Sequence, residues 1–81
     1  MINATVSHEI RNPLNSIVAI NMQKEELYND LKRIMNNQQI GDELKKEKQQ
    51  EILNKLDVGN DIQQSSSKLI QYLVQDLLDF S

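Results

Sequence analysis

Cysteine and tryptophan are absent from this chain, proline and histidine occur once each, and glycine and arginine twice. Without cysteine there is no disulfide framework and no thiolate metal site, and a single histidine leaves too few strong ligands for a zinc centre. One proline and two glycines supply too little turn chemistry for a fold of many short strands. One Phe and two Tyr exclude a core built on large aromatics. No apolar run approaches the roughly 18 residues that span a bilayer, and no signal peptide is visible. Any membrane anchor of a parent protein is therefore expected outside this segment. Net charge is −3 with acids and bases interspersed, so the basic stripe of a nucleic-acid surface is missing. These absences predict a cytoplasmic segment that contacts neither nucleic acid nor membrane.

What is present is helical periodicity. Steps of four and three residues from Val6 pick out Val6, Ile10, Pro13, Ile17, Ile20, Lys24, Leu27, Leu31 and Ile34. All but Lys24 are apolar, the a/d pattern of a bundle or coiled-coil helix, which predicts a first helix over about residues 1–36. Asn36 to Asp42 interrupts the pattern and contains Gly41, predicting a turn over about 37–42 with Asp42 as a cap and Glu43 in the first turn of the second helix. Residues 43–50 are polar apart from Leu44 and fit either a solvated helical extension or a frayed loop. The second helix, about 43–81, has the seam Ile52, Leu56, Gly59, Gln63, Ser66, Ile70, Leu73, Leu77 and Phe80, apolar only at its ends. Ile62 and Leu69 lie beside that seam and are expected to fill it in part. Gly59 costs about 1 kcal/mol relative to alanine in a helix, yet the helix is expected to run through it.

A connection this short makes the helices antiparallel neighbours in one all-α domain spanning residues 1–81. Folding about residue 39 or 40 sets residue i opposite roughly 79 − i. Val6 then meets Leu73, Ile10 meets Leu69 or Ile70, Pro13 meets Ser66, and Ile17 meets Ile62. At 81 residues a lone core is thin, and two helices cannot hide two apolar seams. Ile2, Leu14, Val18, Leu69, Val74 and Leu78 flank the seams, so parallel pairing of two hairpins into a homodimeric four-helix bundle is expected.

The chemistry-bearing stretch runs from Ser7 to Ile17 and holds the histidine, the proline and one of the arginines. Helical spacing gathers His8, Arg11 and Asn12 into a polar patch and sends Ile10, Pro13 and Ile17 to the seam. His8 falls at heptad position f, farthest from the seam, so it is not a core histidine. An imidazole is partly unprotonated near neutral pH, and a carboxylate on one nitrogen can prepare the other as a nucleophile. Glu9 is the nearest carboxylate in sequence, although adjacent helical positions diverge. Pro13 offers no N–H to the Glu9 carbonyl, so a kink one turn beyond His8 is expected. The competing reading starts the helix at Pro13, where a first-turn proline is favoured. Ser66, within Ser65-Ser66-Ser67, can accommodate the kink and offer a hydroxyl to the freed carbonyl, or it can be one of an ordinary surface cluster of serines.

His8-Glu9-Ile10-Arg11-Asn12-Pro13-Leu14 resembles the phosphoacceptor box of sensor histidine kinases, in the dimerization and histidine phosphotransfer domain of the histidine kinase A type. That family's pattern is His, an acid, an apolar residue, Arg, Thr or Asn, then Pro-Leu. Ser66 and the closing run from Leu73 to Ser81 are similar to the end of the domain's second helix, while the connector between helices is longer than in the family. The resemblance implies a homodimeric four-helix bundle with His8 accepting a phosphoryl group on a ring nitrogen. It implies Glu9 on the other nitrogen, Asn12 orienting water for dephosphorylation of a partner, and Arg11 offsetting phosphate charge. Arg11 also reads equally well as a solubilising surface residue. The phosphoryl donor is ATP with Mg²⁺ on a separate ATP-binding domain of the same protein. This chain has no Gly-rich phosphate cradle, binds no cofactor of its own and is not expected to autophosphorylate. The acceptor is an aspartate of a response-regulator receiver domain, docked against Asn12, Ser16 and the facing part of the second helix.

Three other readings stand beside it. A histidine phosphotransfer protein also displays His on a bundle, but its usual motif has Lys-Gly after the histidine where this chain has Arg11-Asn12. A phosphorelay protein with a kinase-like bundle and no kinase activity fits every residue. A purely structural helical hairpin would make replacement of His8 silent.

Overall fold

The computed structural model describes residues 2–79, with side chains from Ser7 onward. Two helices, α1 (Ile2–Asn36) and α2 (Asp42–Asp79), form an antiparallel hairpin, and no strand occurs among the described residues. The molecule is a rod of 60 × 15 × 12 Å. Helix bounds and the two-helix, all-α architecture agree with the periodicity.

The seams are the reason the helices lie together. Every seam position from Ile10 to Ile34 and from Ile52 to Leu77 is buried or half-buried, in contrast with most of its neighbours. Lys45 and Gln49, also half-buried, continue the α2 rhythm toward the turn, so residues 43–50 are helix and not a frayed loop. The predicted register is realised. Gly59 lies against Ile20, and Leu27 and Ile52 line one shared hollow between the helices. Val6 and Phe80 belong to the predicted seams but their side chains lie outside the described residues.

Local sequence explains the ends. After Asn36 the Asn37 amide returns to the Ile34 carbonyl at 3.3 Å, and the Gln39 amide donates to Asn37 Oδ1 at 3.0 Å, a side-chain-closed turn. Gly41, not Asp42, takes the cap position, because its carbonyl accepts the first helical bond of α2 from the Lys45 amide at 3.0 Å. Asp42 and Glu43 sit in the first turn, where the helix dipole favours negative charge.

The α1 helix runs continuously through Pro13, as the apolar seam predicted, and does not start there. Two expectations about the seam are corrected. Ile62 and Leu69 do not fill the α2 seam; they stay 40% and 49% exposed on its flank, which leaves Ile70 as the half-buried residue level with Ile10. At the level of Ile17 the seam position of α2 is Gln63, whose amide nitrogen donates to the Ile17 carbonyl at 3.1 Å.

The core is thin. Among the described residues Leu27 and Ile52, each 7% exposed, are the buried large apolar side chains, and none is fully enclosed. At about 1.5–3 kcal/mol for each fully buried aliphatic side chain, a strip one residue wide gives little stability against the entropy of ordering two long helices. Gly59 packs tightly on α1: a Cβ there would stand 3.1 Å from Ile20 Cγ2 and 4.0 Å from Lys24 Cε. Gly59→Leu is therefore expected to overpack the crossing by about 1–3 kcal/mol, offset by roughly 0.8 kcal/mol of regained helix propensity. Urea unfolding followed by helical dichroism should show a lower midpoint than the parent; an equal or higher midpoint would contradict the close approach.

Candidate functional site

The box from Ser7 to Ile17 is divided by α1 into two faces. Ile10 and Ile17 are half-buried and Pro13 is buried toward α2, whereas His8, Glu9, Arg11 and Asn12 are exposed. The same 3.6-residue period that seals the apolar members therefore turns the imidazole outward. His8 is reachable by a partner and is not committed to any hydrogen bond within the described residues.

The polar members do not converge into an assembled centre. No hydrogen bond joins His8 to Glu9, as the divergence of adjacent helical side chains requires. Arg11 forms no ion pair among the described residues, where Arg33 with Asp30, near the turn, is the pair present. Asn12 is exposed on the c side of α1, and Ser16 is half-buried at position g, between that surface and α2. Ser66 is half-buried and level with the buried Pro13 in the register set by Ile20 and Gly59. Its hydroxyl makes no hydrogen bond to the Glu9 carbonyl.

The hollows described among these residues lie away from the box. An open hollow of about 280 Å³ lies near the turn, walled by Leu27, Ile34 and Ile52 with Arg33, Lys48 and Lys55 at its rim. At 1.5 Å per residue, Leu27 is roughly 28 Å along α1 from His8, so this hollow has no part in the chemistry of the box. Among the described residues no three metal-ligating side chains come together.

A polar cluster in the middle of the hairpin was only half visible in the sequence. Lys24 Nζ donates to Gln63 Oε1 at 2.6 Å, and Gln63 Nε2 donates to Asn21 Oδ1 at 2.7 Å and to the Ile17 carbonyl. Lys24 and Gln63 stand out singly as polar seam positions, but their simple register does not pair them. Helical side chains lean toward their own N-terminus, so in antiparallel helices Lys24 and Gln63 lean toward each other. The missing side chain of Gly59 leaves room for the Lys24 stem to pass. That combination was the readable signal.

No protein-family model, curated protein or solved structure matches this chain. No described helix is long and apolar enough to cross a membrane.

Proposed function

We propose that this chain is the dimerization and phosphoacceptor domain of a two-component sensor histidine kinase, with His8 as the residue phosphorylated. The observation that carries the reading is the outward exposure of His8 on a helix whose opposite face, through Ile10, Pro13 and Ile17, is committed to α2. A nucleophile that must visit two different protein partners in turn has to be free on a rigid element, and this one is.

In the first step a ring nitrogen of His8 attacks the γ-phosphorus of ATP, held with Mg²⁺ by an ATP-binding domain of the same protein. A P–N bond forms, the P–O bond to the β-phosphate breaks, ADP leaves, and the ring proton passes to solvent or to a base. In the second step a carboxylate oxygen of a receiver-domain aspartate attacks phosphorus and the P–N bond breaks, restoring the imidazole. Glu9 is assigned the second ring nitrogen, which requires a change of rotamer when the ATP-binding domain docks. Arg11 offsets charge on the transferred group. Asn12 orients water against the receiver's acyl phosphate, and Asn12 and Ser16 belong to the docking surface. The reading places the segment in the cytoplasm, where ATP is available.

Two copies complete the fold in this reading. Leu14, Val18, Val74 and Leu78 are exposed and, by heptad position, lie on one flank of the hairpin, with Leu69 on the other. Burying that flank against a second copy gives a four-helix bundle with the two His8 side chains outside. The thin core supports this, since a 60 Å rod with two buried aliphatic side chains has little to hold it together alone.

Two measurements test these assignments. Supplied with labelled ATP and a histidine kinase's ATP-binding domain in trans, the chain is expected to take up acid-labile, alkali-stable label that disappears in His8→Ala. Label of equal intensity on the variant would overturn the role of His8 and leave the structural-hairpin reading. In sedimentation equilibrium the parent is expected at twice the 9.4 kDa chain mass. The double variant Leu14→Asp, Val18→Asp should weaken association by at least tenfold; a monomeric parent, or an unchanged dimer in the variant, would contradict the pairing.

A further inference from the structure

The hydrogen bonds at Gln63 lie at a break in the apolar packing. On the turn side of that level Leu27 packs level with Ile52, the two buried large apolar side chains among the described residues, with Leu31, Ile34 and Leu56 half-buried beside them and Gln49 and Lys45 following in the α2 seam. At the break itself α2 contributes Gly59, Gln63 and Ser66 in succession, none a large apolar residue. Beyond it, toward His8, Ile10, Ile70 and Leu73 resume an apolar seam in which every described aliphatic residue is only half-buried. The bonds of the break are made by side chains that water can reach: Lys24 and Gln63 are half-buried and Asn21 is exposed.

We propose that the Asn21–Lys24–Gln63 layer is a joint that lets the His8-bearing half of the hairpin open and repack while the half nearest the turn stays closed. Hydrogen bonds at a wet level exchange readily for bonds to water, so breaking them costs far less than separating packed aliphatic side chains. Local opening divides a protein where buried apolar contacts are sparse, and between Leu56 and Ile70 the α2 seam holds no large apolar residue. The layer also fixes the register when closed. Gln63 reaches two α1 side chains and a backbone carbonyl at once, and a slip of either helix would leave the Lys24 ammonium without its acceptor. Closed, the joint holds one alignment; open, it releases only the upper half. The proposal concerns packing alone and holds whatever chemistry His8 performs.

Amide hydrogen exchange on the full chain tests it. Amides of residues 10–20 and 63–73 are expected to exchange at least tenfold faster than those of residues 27–34 and 49–56, with a step at the layer. The paired replacement K24L and Q63L, which removes donor and acceptor together and completes the apolar seam, should raise protection of the first set to within about threefold of the second. Uniform exchange in the parent, or unprotected amides throughout, would overturn the joint. So would a gradient from the chain ends that the double variant leaves unmoved, because that is simple fraying. Equal gains in both halves would mean general stabilisation and would also overturn it. Should the double variant fail to fold, the parent's own step or its absence still decides.

Discussion

The seam between α1 and α2, held in the register that sets Ile20 on Gly59, is the constraint on which the rest of the molecule depends. It determines which side of α1 is covered. Through the helical period it therefore determines that Ile10 and Pro13 are covered while His8, Glu9, Arg11 and Asn12 are not. A slip of one residue would rotate the box by about 100°, turning His8 from the outer face toward a flank. The closeness of Gly59 to Ile20 and the three bonds of Gln63 oppose such a slip from two adjacent levels.

The same seam accounts for what the hairpin lacks. Among the described residues it buries two large aliphatic side chains and leaves Leu14, Val18, Leu69 and Val74 exposed, so each hairpin presents apolar flanks. The proposed pairing of copies and the proposed docking of a receiver draw on different faces of this one arrangement. Covering the flank that carries Leu14 leaves His8 at position f, and Asn12 and Ser16 beside it, open to partners.

Much of this was legible in the residues. The alternation of four and three steps from Ile10 to Ile34 identified the covered face of α1 position by position, because a long amphipathic helix repeats its signal many times. The register followed from a short connector and one sum rule. The errors came where the signal is local or non-additive. Ile62 and Leu69, which the heptad sets beside the seam, were expected to fill it in part, yet both stay exposed on its flank. Asp42 looked like a cap by residue type, but the carbonyl of Gly41 opens the helix. The bridge from Lys24 to Gln63 required the lean of side chains along opposed helices, which spacing within one helix does not contain. At the box, spacing located His8 on the outer face, and the divergence of adjacent helical side chains already argued against a bond to Glu9.

The central claim is that the outward-facing nitrogen of His8 forms the covalent bond to phosphorus. Phosphorus-31 NMR of the chain after phosphorylation in trans, with correlation to imidazole protons, observes that bond directly. The account predicts one phosphoramidate resonance correlated with the ring of His8. A resonance in the phosphate-ester range, correlated with a serine, threonine or tyrosine, would contradict it.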